Sequence, residues 1–285
     1  MTPSYTLNPQ EAQKLPTWRA AFSERTAELM AKLALLAYEA DVDALTSQLA
    51  LGGFELLSVY DNEVSQGFLA KTADFAVLAF RGSDSFADWR TNLNSRSVPL
   101  TTRLGQVQVH EGFKRAFDLI GEAVLADVNS KIPDGLGLYI TGHSFGAAMA
   151  QIASVALERD NLAACYTYGS PRLGDMAFDA LVTCPHYRLV NGWDLVTTLP
   201  PPLLTPFRHT GDPRLLTGIG RPIMRRDRSP LSKIGQTLVG LAFLLFGNRR
   251  LFADHRMESY VKSIQAVRGL RGQDRVQGFM TRPWV

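Results

Sequence analysis

Ser144 stands at the centre of Gly142-His143-Ser144-Phe145-Gly146, with the apolar run Leu138–Thr141 before it and the small residues Ala147, Ala148 and Ala150 after it. This is a G-x-S-x-G pattern in strand-turn-helix surroundings. A sharp turn there lifts the serine to the top of a sheet, where a base can reach its hydroxyl. The flanking glycines let backbone and helix approach closely. A serine hydroxyl is a weak nucleophile near neutral pH, so it needs a base to take its proton and an acid to orient that base. The chemistry to look for is acyl transfer through a Ser-His-Asp chain. The pentapeptide alone arises by chance too easily to carry that conclusion.

With a serine on such an elbow, the acid and then the base follow it along the chain. The chain has five histidines. His110 precedes the serine. His143 lies inside the elbow, where its side chain is expected to project away from the catalytic face. His186 begins a strand-like run and His209 lies in a short one. His255 comes near the C-terminus after an irregular segment, where a loop-borne base would sit. For the acid, Asp194 follows Tyr187–Val190 through Asn191, Gly192 and Trp193. That places it beyond the carboxyl end of a buried strand, the edge at which active groups of open α/β sheets gather. Asp175 directly follows Gly174 at a helix start, and Asp254 adjoins His255; both read as caps. The residues point to Ser144, Asp194 and His255.

Acyl transfer also needs donors for the oxyanion. One is the backbone N–H of Phe145. The second would come from Arg81-Gly82-Ser83-Asp84, after the run Phe75–Phe80, with Ser83 supplying its N–H and hydroxyl. Read by itself, that stretch is a turn. Phe86, Trp89 and Leu93 then fall at i, i+3 and i+7 on a short amphipathic helix, either a surface helix or a lid over an apolar ester site.

These groups must be positioned by a scaffold. Ser23 can cap a helix running to about Glu39, and a second, about Asp43–Leu51, stops at Gly52-Gly53. The runs Phe54–Tyr60, Gln66–Lys71 and Phe75–Phe80 are separated by tight breaks and read as antiparallel strands. Gln106–His110 is another short strand. Strand and helix then alternate: helix Gly112–Asn129, strand Leu136–Thr141, helix Phe145–Glu158, strand Ala163–Tyr168, helix Asp175–Val182, strand Tyr187–Val190. That rhythm implies right-handed crossovers and a mainly parallel sheet with helices on both faces. Beyond Pro200-Pro201-Pro202, Phe207–His209 and Gly220–Arg226 read as strands, and Leu231–Phe246 and Asp254–Val267 as helices.

With 285 residues, 46% apolar and 20% charged, the chain can bury a full core, and with no linker or repeat it reads as one domain. The core is expected over about 25–267, with 1–22 and 268–285 as peripheral tails. A net charge of +3 hides an asymmetry: residues 201–285 carry 15 Lys and Arg against 5 Asp and Glu. No aromatic-interleaved basic motif or zinc pattern supports nucleic acid as a partner. Cys165 and Cys184 make no disulfide framework. The first ten residues lack a basic region and an apolar region, so no Sec signal is expected and the compartment reads as cytoplasmic or reached by a non-Sec route. No apolar run reaches the ~20 residues of a membrane span. Leu238–Phe246 is apolar all round, flanked by Arg225, Arg226, Arg228, Arg249 and Arg250; it reads as a buried helix, an acyl-chain wall or an interfacial anchor.

Assembled in order, these segments resemble the class 3 lipases, the fungal-lipase-like branch of the α/β-hydrolase fold. The segments that carry the resemblance run from Leu33–Tyr38 to Tyr260. Between them stand Ala79–Ser83, Asp88-Trp89 with Asn92-Leu93, Val109–Phe113, Ile140–Ala147, Tyr168–Asp175, Val190–Val196, Leu199–Pro201 and Asp254-His255. The resemblance implies Ser144 as nucleophile, Asp194 as acid, His255 as base, Ser83 and Phe145 as oxyanion donors, and a short helical lid. It makes His110 and His143 structural members of their motifs. The expected activity is that of a serine carboxylester hydrolase acting on lipid esters, triacylglycerol first, with no metal or cofactor and with peripheral contact at a lipid interface. A phospholipase or soluble-ester esterase would use the same site; an acyltransferase or a non-catalytic lipid-binding module are the other classes. Secreted fungal members carry signal peptides and disulfides, which this chain does not show.

Overall fold

The computed structural model describes residues 5–13, 15–82, 96–202, 204–217, 223–225 and 253–280. Ser83, Phe86, Trp89 and Leu93 lie outside them, as do the helix expected at 231–246 and the apolar run Leu238–Phe246.

After a single turn α1 (Pro9–Ala12), α2 (Glu24–Leu36) begins where Ser23 Oγ accepts the N–H of Thr26 at 3.0 Å. Helix α3 (Val42–Leu51) starts at Asp41, whose Oδ1 accepts the N–H groups of Asp43 and Ala44, and stops at Gly52-Gly53. Strands β1 (Glu55–Asn62), β2 (Ser65–Lys71) and β3 (Phe75–Phe80) are antiparallel neighbours. β3 then pairs in parallel with β6 (Gly137–His143), β6 with β7 (Leu162–Tyr168), and β7 with β8 (His186–Asn191). With β9 (Asp212–Thr217) and β10 (Ile223–Arg225), the order β1-β2-β3-β6-β7-β8-β9-β10 makes one mixed sheet of eight strands among the described residues. This is the expected α/β-hydrolase architecture, antiparallel at its N-terminal edge and parallel through the middle.

The period of two along the central strands divides the interior into two cores. Ala76, Leu78 and Phe80 of β3 face one side with Leu138 and Ile140 of β6, against α4 (Glu111–Lys131) and α5 (Phe145–Ala156). Phe75, Val77 and Ala79 face the other side with Tyr139, against α2 and α7 (Met257–Met280). Residues before α2 join this second core through buried Leu7, Ala12 and Leu15, and the Tyr139 hydroxyl donates to the Pro16 carbonyl.

Three departures from the sequence reading matter. Gln106–His110 lies in β5 (Gly105–His110), which pairs with β4 (Ser97–Thr102) in a separate two-stranded ribbon rather than joining the sheet. β4 carries Pro99 and a polar run, so its pattern does not read as a strand. The helix expected at Asp175–Val182 is only the single turn α6 (Phe178–Leu181). The strand expected at Phe207–His209 is one bridge, Gly174 to Arg208; the strand itself comes later, as β9 (Asp212–Thr217), with β10 (Ile223–Arg225) beside it. Pro213 hid β9, because a proline removes one ladder donor and argues against a strand.

Candidate active site

The elbow is built by the β6–α5 junction. Ser144 sits at φ 56° and ψ −120°, in a region that L-residues occupy only when the surroundings enforce it. What enforces it is the sheet: the Ser144 N–H donates to the Tyr168 carbonyl of β7 at 2.9 Å, and its own carbonyl accepts the N–H of Ala147 at 3.0 Å. A Cβ at Gly146 would collide with the carbonyl oxygens of Phe80 and Arg81, so α5 can lie this close to the end of β3 only with glycine there.

His255 lies in the short turn 253–255 immediately before α7, rather than opening the helix itself. Its Nε2 is 2.8 Å from Ser144 Oγ, and its Nδ1 is 2.9 and 3.0 Å from the two carboxylate oxygens of Asp194. The structure thus joins Ser144, His255 and Asp194 in one hydrogen-bonded chain. A carboxylate can only accept, so Nδ1 carries the ring proton and Nε2 is left as the acceptor for the serine hydroxyl. Asp194 lies on the turn after β8, wholly buried. Its Oδ1 also accepts the Val196 N–H at 3.0 Å, and its Oδ2 the Tyr260 hydroxyl at 2.6 Å. Burial pushes the Asp194 carboxyl up, but the His255 ring, its hydrogen bond and that of Tyr260 outweigh it and hold the carboxyl below its ordinary value. A Cβ at Gly169 would stand 2.7 Å from Asp194 Oδ2 and 2.9 Å from His255 Nδ1, so glycine leaves the space this pair occupies.

The remaining histidines are placed elsewhere or differently. His110 packs between Phe113 and Phe207, 4.4 and 5.2 Å between ring centroids. His186 bonds Thr167 and Thr210, and His209 the Thr197 carbonyl. His143 does not project away from the site. Its ring lies 4.6 Å from that of His255, because alternation along β6 puts it with Tyr139 and Thr141 on the sheet face covered by α2 and α7, and His255 stands just before α7. Asp175 and Asp254 are backbone braces: Asp175 accepts from Gln108 and Ala177, Asp254 from the Trp193 N–H. Tyr260, cited above only for a place in the sequence pattern, is a direct partner of the acid; no periodicity could have revealed that.

Phe145 opens α5, so its N–H is among those a helix leaves without an intrahelical partner. Its ring stacks edge-on against Phe113 at 5.4 Å. Gly82, the last described residue before Ser83, lies against the elbow: a Cβ on it would be 3.2 Å from Ser144 Cβ. A nucleophile, a base whose acceptor nitrogen faces the serine hydroxyl, a buried acid and a helix N-terminus therefore converge at the carboxyl edge of the parallel strands. Such an arrangement can deprotonate a hydroxyl and hold a tetrahedral oxyanion.

The class 3 lipase family model matches residues 77–204. The chain is 34% identical over 150 residues to a secreted mono- and diacylglycerol lipase of Fusarium solani, a match covering 50% of this chain and 44% of that one. It is 31% identical over 172 residues to a lipase of Rhizomucor miehei, covering 56% and 46%. The chain thus spans under half the length of these curated relatives. Its structure superposes with TM-score 0.61 and 25% identity on a triacylglycerol lipase whose catalytic centre is a serine protease triad, covering 72% of this chain and 84% of that one. The expectation of a cytoplasmic or non-Sec chain is overturned by this comparison, since the Fusarium solani relative is a secreted protein. The composition of ten residues was too narrow a basis for a compartment.

Proposed function

We propose that this chain, which belongs through residues 77–204 to the class 3 lipase family, is an exported serine carboxylester hydrolase that acts on acylglycerols. The observation that carries the reading is the unbroken hydrogen-bond chain from Ser144 through His255 to Asp194. We read the whole chain as one hydrolase domain.

In this mechanism His255 Nε2 takes the proton from Ser144 Oγ as that oxygen attacks the ester carbonyl. Asp194 stabilises the imidazolium that results. The N–H of Phe145 and the N–H and hydroxyl of Ser83 hold the oxyanion. His255 then gives its proton to the leaving alcohol, and water, deprotonated by the same ring, releases the fatty acid. Trp193, 57% exposed on the turn between β8 and Asp194, offers an amphipathic ring for contact with a lipid interface.

The test is Ser144→Ala beside the wild-type chain. Hydrolysis of nitrophenyl esters and of acylglycerols should fall to background, about 10⁴-fold or more, with the thermal melt preserved. Retained turnover in that variant would refute the assignment. A wild-type rate profile over acyl length and head group, above and below the concentration at which substrate forms an interface, separates lipase from esterase: a jump at that point is expected. Product analysis with added glycerol distinguishes transfer to an alcohol from hydrolysis.

A further inference from the structure

We infer that His143 is a positioning residue for the base: a neutral imidazole that clamps the backbone of His255 and is itself aligned by Tyr38. The inference rests on the reading of His255 as general base.

The geometry is direct. His143 Nε2 lies 2.6 Å from the carbonyl oxygen of His255, and Nδ1 lies 2.6 Å from the Tyr38 hydroxyl. A carbonyl only accepts, so the ring proton is on Nε2, and Nδ1 accepts the Tyr38 O–H. One tautomer therefore satisfies both bonds. The ring is 4% exposed, and burial, with the neighbouring His255, lowers its pKa to about 3. The ring is therefore neutral near neutral pH.

The clamp has a task. His255 is carried by a single turn, and its Nε2 must stay within reach of Ser144 Oγ through acylation and deacylation. Two backbone carbonyls of that turn are held from the sheet side: Asp254 by Asn191 Nδ2 at 3.1 Å, and His255 by His143. The His143 ring also backs the His255 ring, with planes 35° apart. A neutral donor suits the position, because a cation there would oppose the imidazolium that forms on His255. Tyr38, at the end of α2, extends the support. Its ring lies under the Arg81 guanidinium at 5.5 Å, and its hydroxyl occupies the space a side chain at Gly82 would need. One hydroxyl thus packs against both the elbow and the segment leading to Ser83.

The experiment compares Tyr38→Phe, His143→Phe and His143→Gln with wild type in the full chain. Turnover is read with nitrophenyl butyrate, and Ser144 reactivity with a fluorophosphonate probe. A glutamine can donate to the His255 carbonyl and accept from Tyr38; a phenylalanine keeps the ring stack but neither bond. Because small displacements of catalytic groups cost up to about 10²-fold, kcat and the phosphonylation rate should fall about 10- to 100-fold in His143→Phe, with KM within about twofold. Tyr38→Phe should lose about 3- to 10-fold, and His143→Gln should return to within about fivefold of wild type. Tyr38→Phe and His143→Gln still decide the matter if His143→Phe does not fold. Rates that track only the folded fraction, a change confined to KM, or a folded Gln variant as slow as the Phe variant would overturn the clamp. Retained activity in Ser144→Ala would instead overturn the functional reading beneath it.

Discussion

Asp194 shows how much of a reactive group's character comes from its neighbours. Removed from water, an aspartate would sooner be protonated, yet here its oxygens accept the His255 Nδ1–H, the Val196 N–H and the Tyr260 hydroxyl. A hydrogen bond to a charged group contributes about 1.5–3 kcal/mol. Tyr260→Phe deletes one without altering the ring's packing. Turnover should fall about 10-fold, which corresponds to about 1.4 kcal/mol. Losing that donor also raises the Asp194 carboxyl, so activity should fail at a higher pH on the acid side than in wild type. A pH-rate profile unchanged in both height and acid limb would contradict this account. The acid and base were legible from their order after Ser144 and their settings: Asp194 follows the carboxyl end of a buried strand, and His255 follows an irregular segment. Their rivals read as caps or lie in strand-like runs. Tyr260 and Tyr38 were not, because nothing in a tyrosine's local sequence says which distant carboxylate or imidazole its hydroxyl will meet.

At the level of elements, the elbow depends on α5 lying against the end of β3. Its first turn can approach because Gly146 presents no side chain to the Phe80 and Arg81 carbonyls. Gly146→Ala must push the helix off the strand or bend the turn. Overpacking of this kind costs about 1–3 kcal/mol, and it displaces Phe145 and Ser144 together. A drop in melting temperature accompanied by a loss of kcat larger than the loss of folded protein is the expected outcome; a melt equal to wild type would show that the junction has slack. Helix α4 was readable because it buries one stripe, and a period near 3.6 is written in the chain. Helices α2 and α5 are buried nearly all round, and were readable from the Ser23 cap and from the small residues after the elbow. β4 and β9 were not: each holds a proline and lacks clean alternation, and each is a strand because of the neighbour it pairs with.

For the molecule as a whole, the buried imidazoles set the response to acid. Burial lowers His110 to about 4 and His143 and His186 to about 3, and places His209 well below its ordinary value. The folded chain keeps these rings neutral, whereas the unfolded chain protonates them near pH 6.5. Unfolding therefore takes up protons, and stability falls as pH drops below about 6.5 and on through the folded values, by about 1.4 kcal/mol per pH unit for each ring. Asp194 acts in the same direction: its depressed carboxyl stabilises the fold above the ordinary carboxylate range, and that stability is lost as pH falls through the folded value. Against a typical total of about 5–15 kcal/mol, the chain should lose most of its urea resistance between pH 7 and 5. His110 has no hydrogen-bond partner on either ring nitrogen among the described residues. His110→Leu should therefore remove about one proton from the uptake and flatten the profile, as urea titrations across pH would report. A midpoint independent of pH over that range would exclude the mechanism.

The sequence by itself determined the elbow, the order of serine, acid and base, and the alternation that makes the sheet parallel in its centre. These follow from neighbours within a few residues: a strained turn needs its glycines, a buried strand its apolar run, a helix its stripe. Only the tertiary structure decided that His143 serves His255, that Tyr38 serves His143 and that Tyr260 serves Asp194. These bonds join residues 112, 105 and 66 positions apart. Two side chains that far apart meet only through the packing of the α2 end and α7 against one face of the sheet. No local period records that packing, and the site's geometry depends on it.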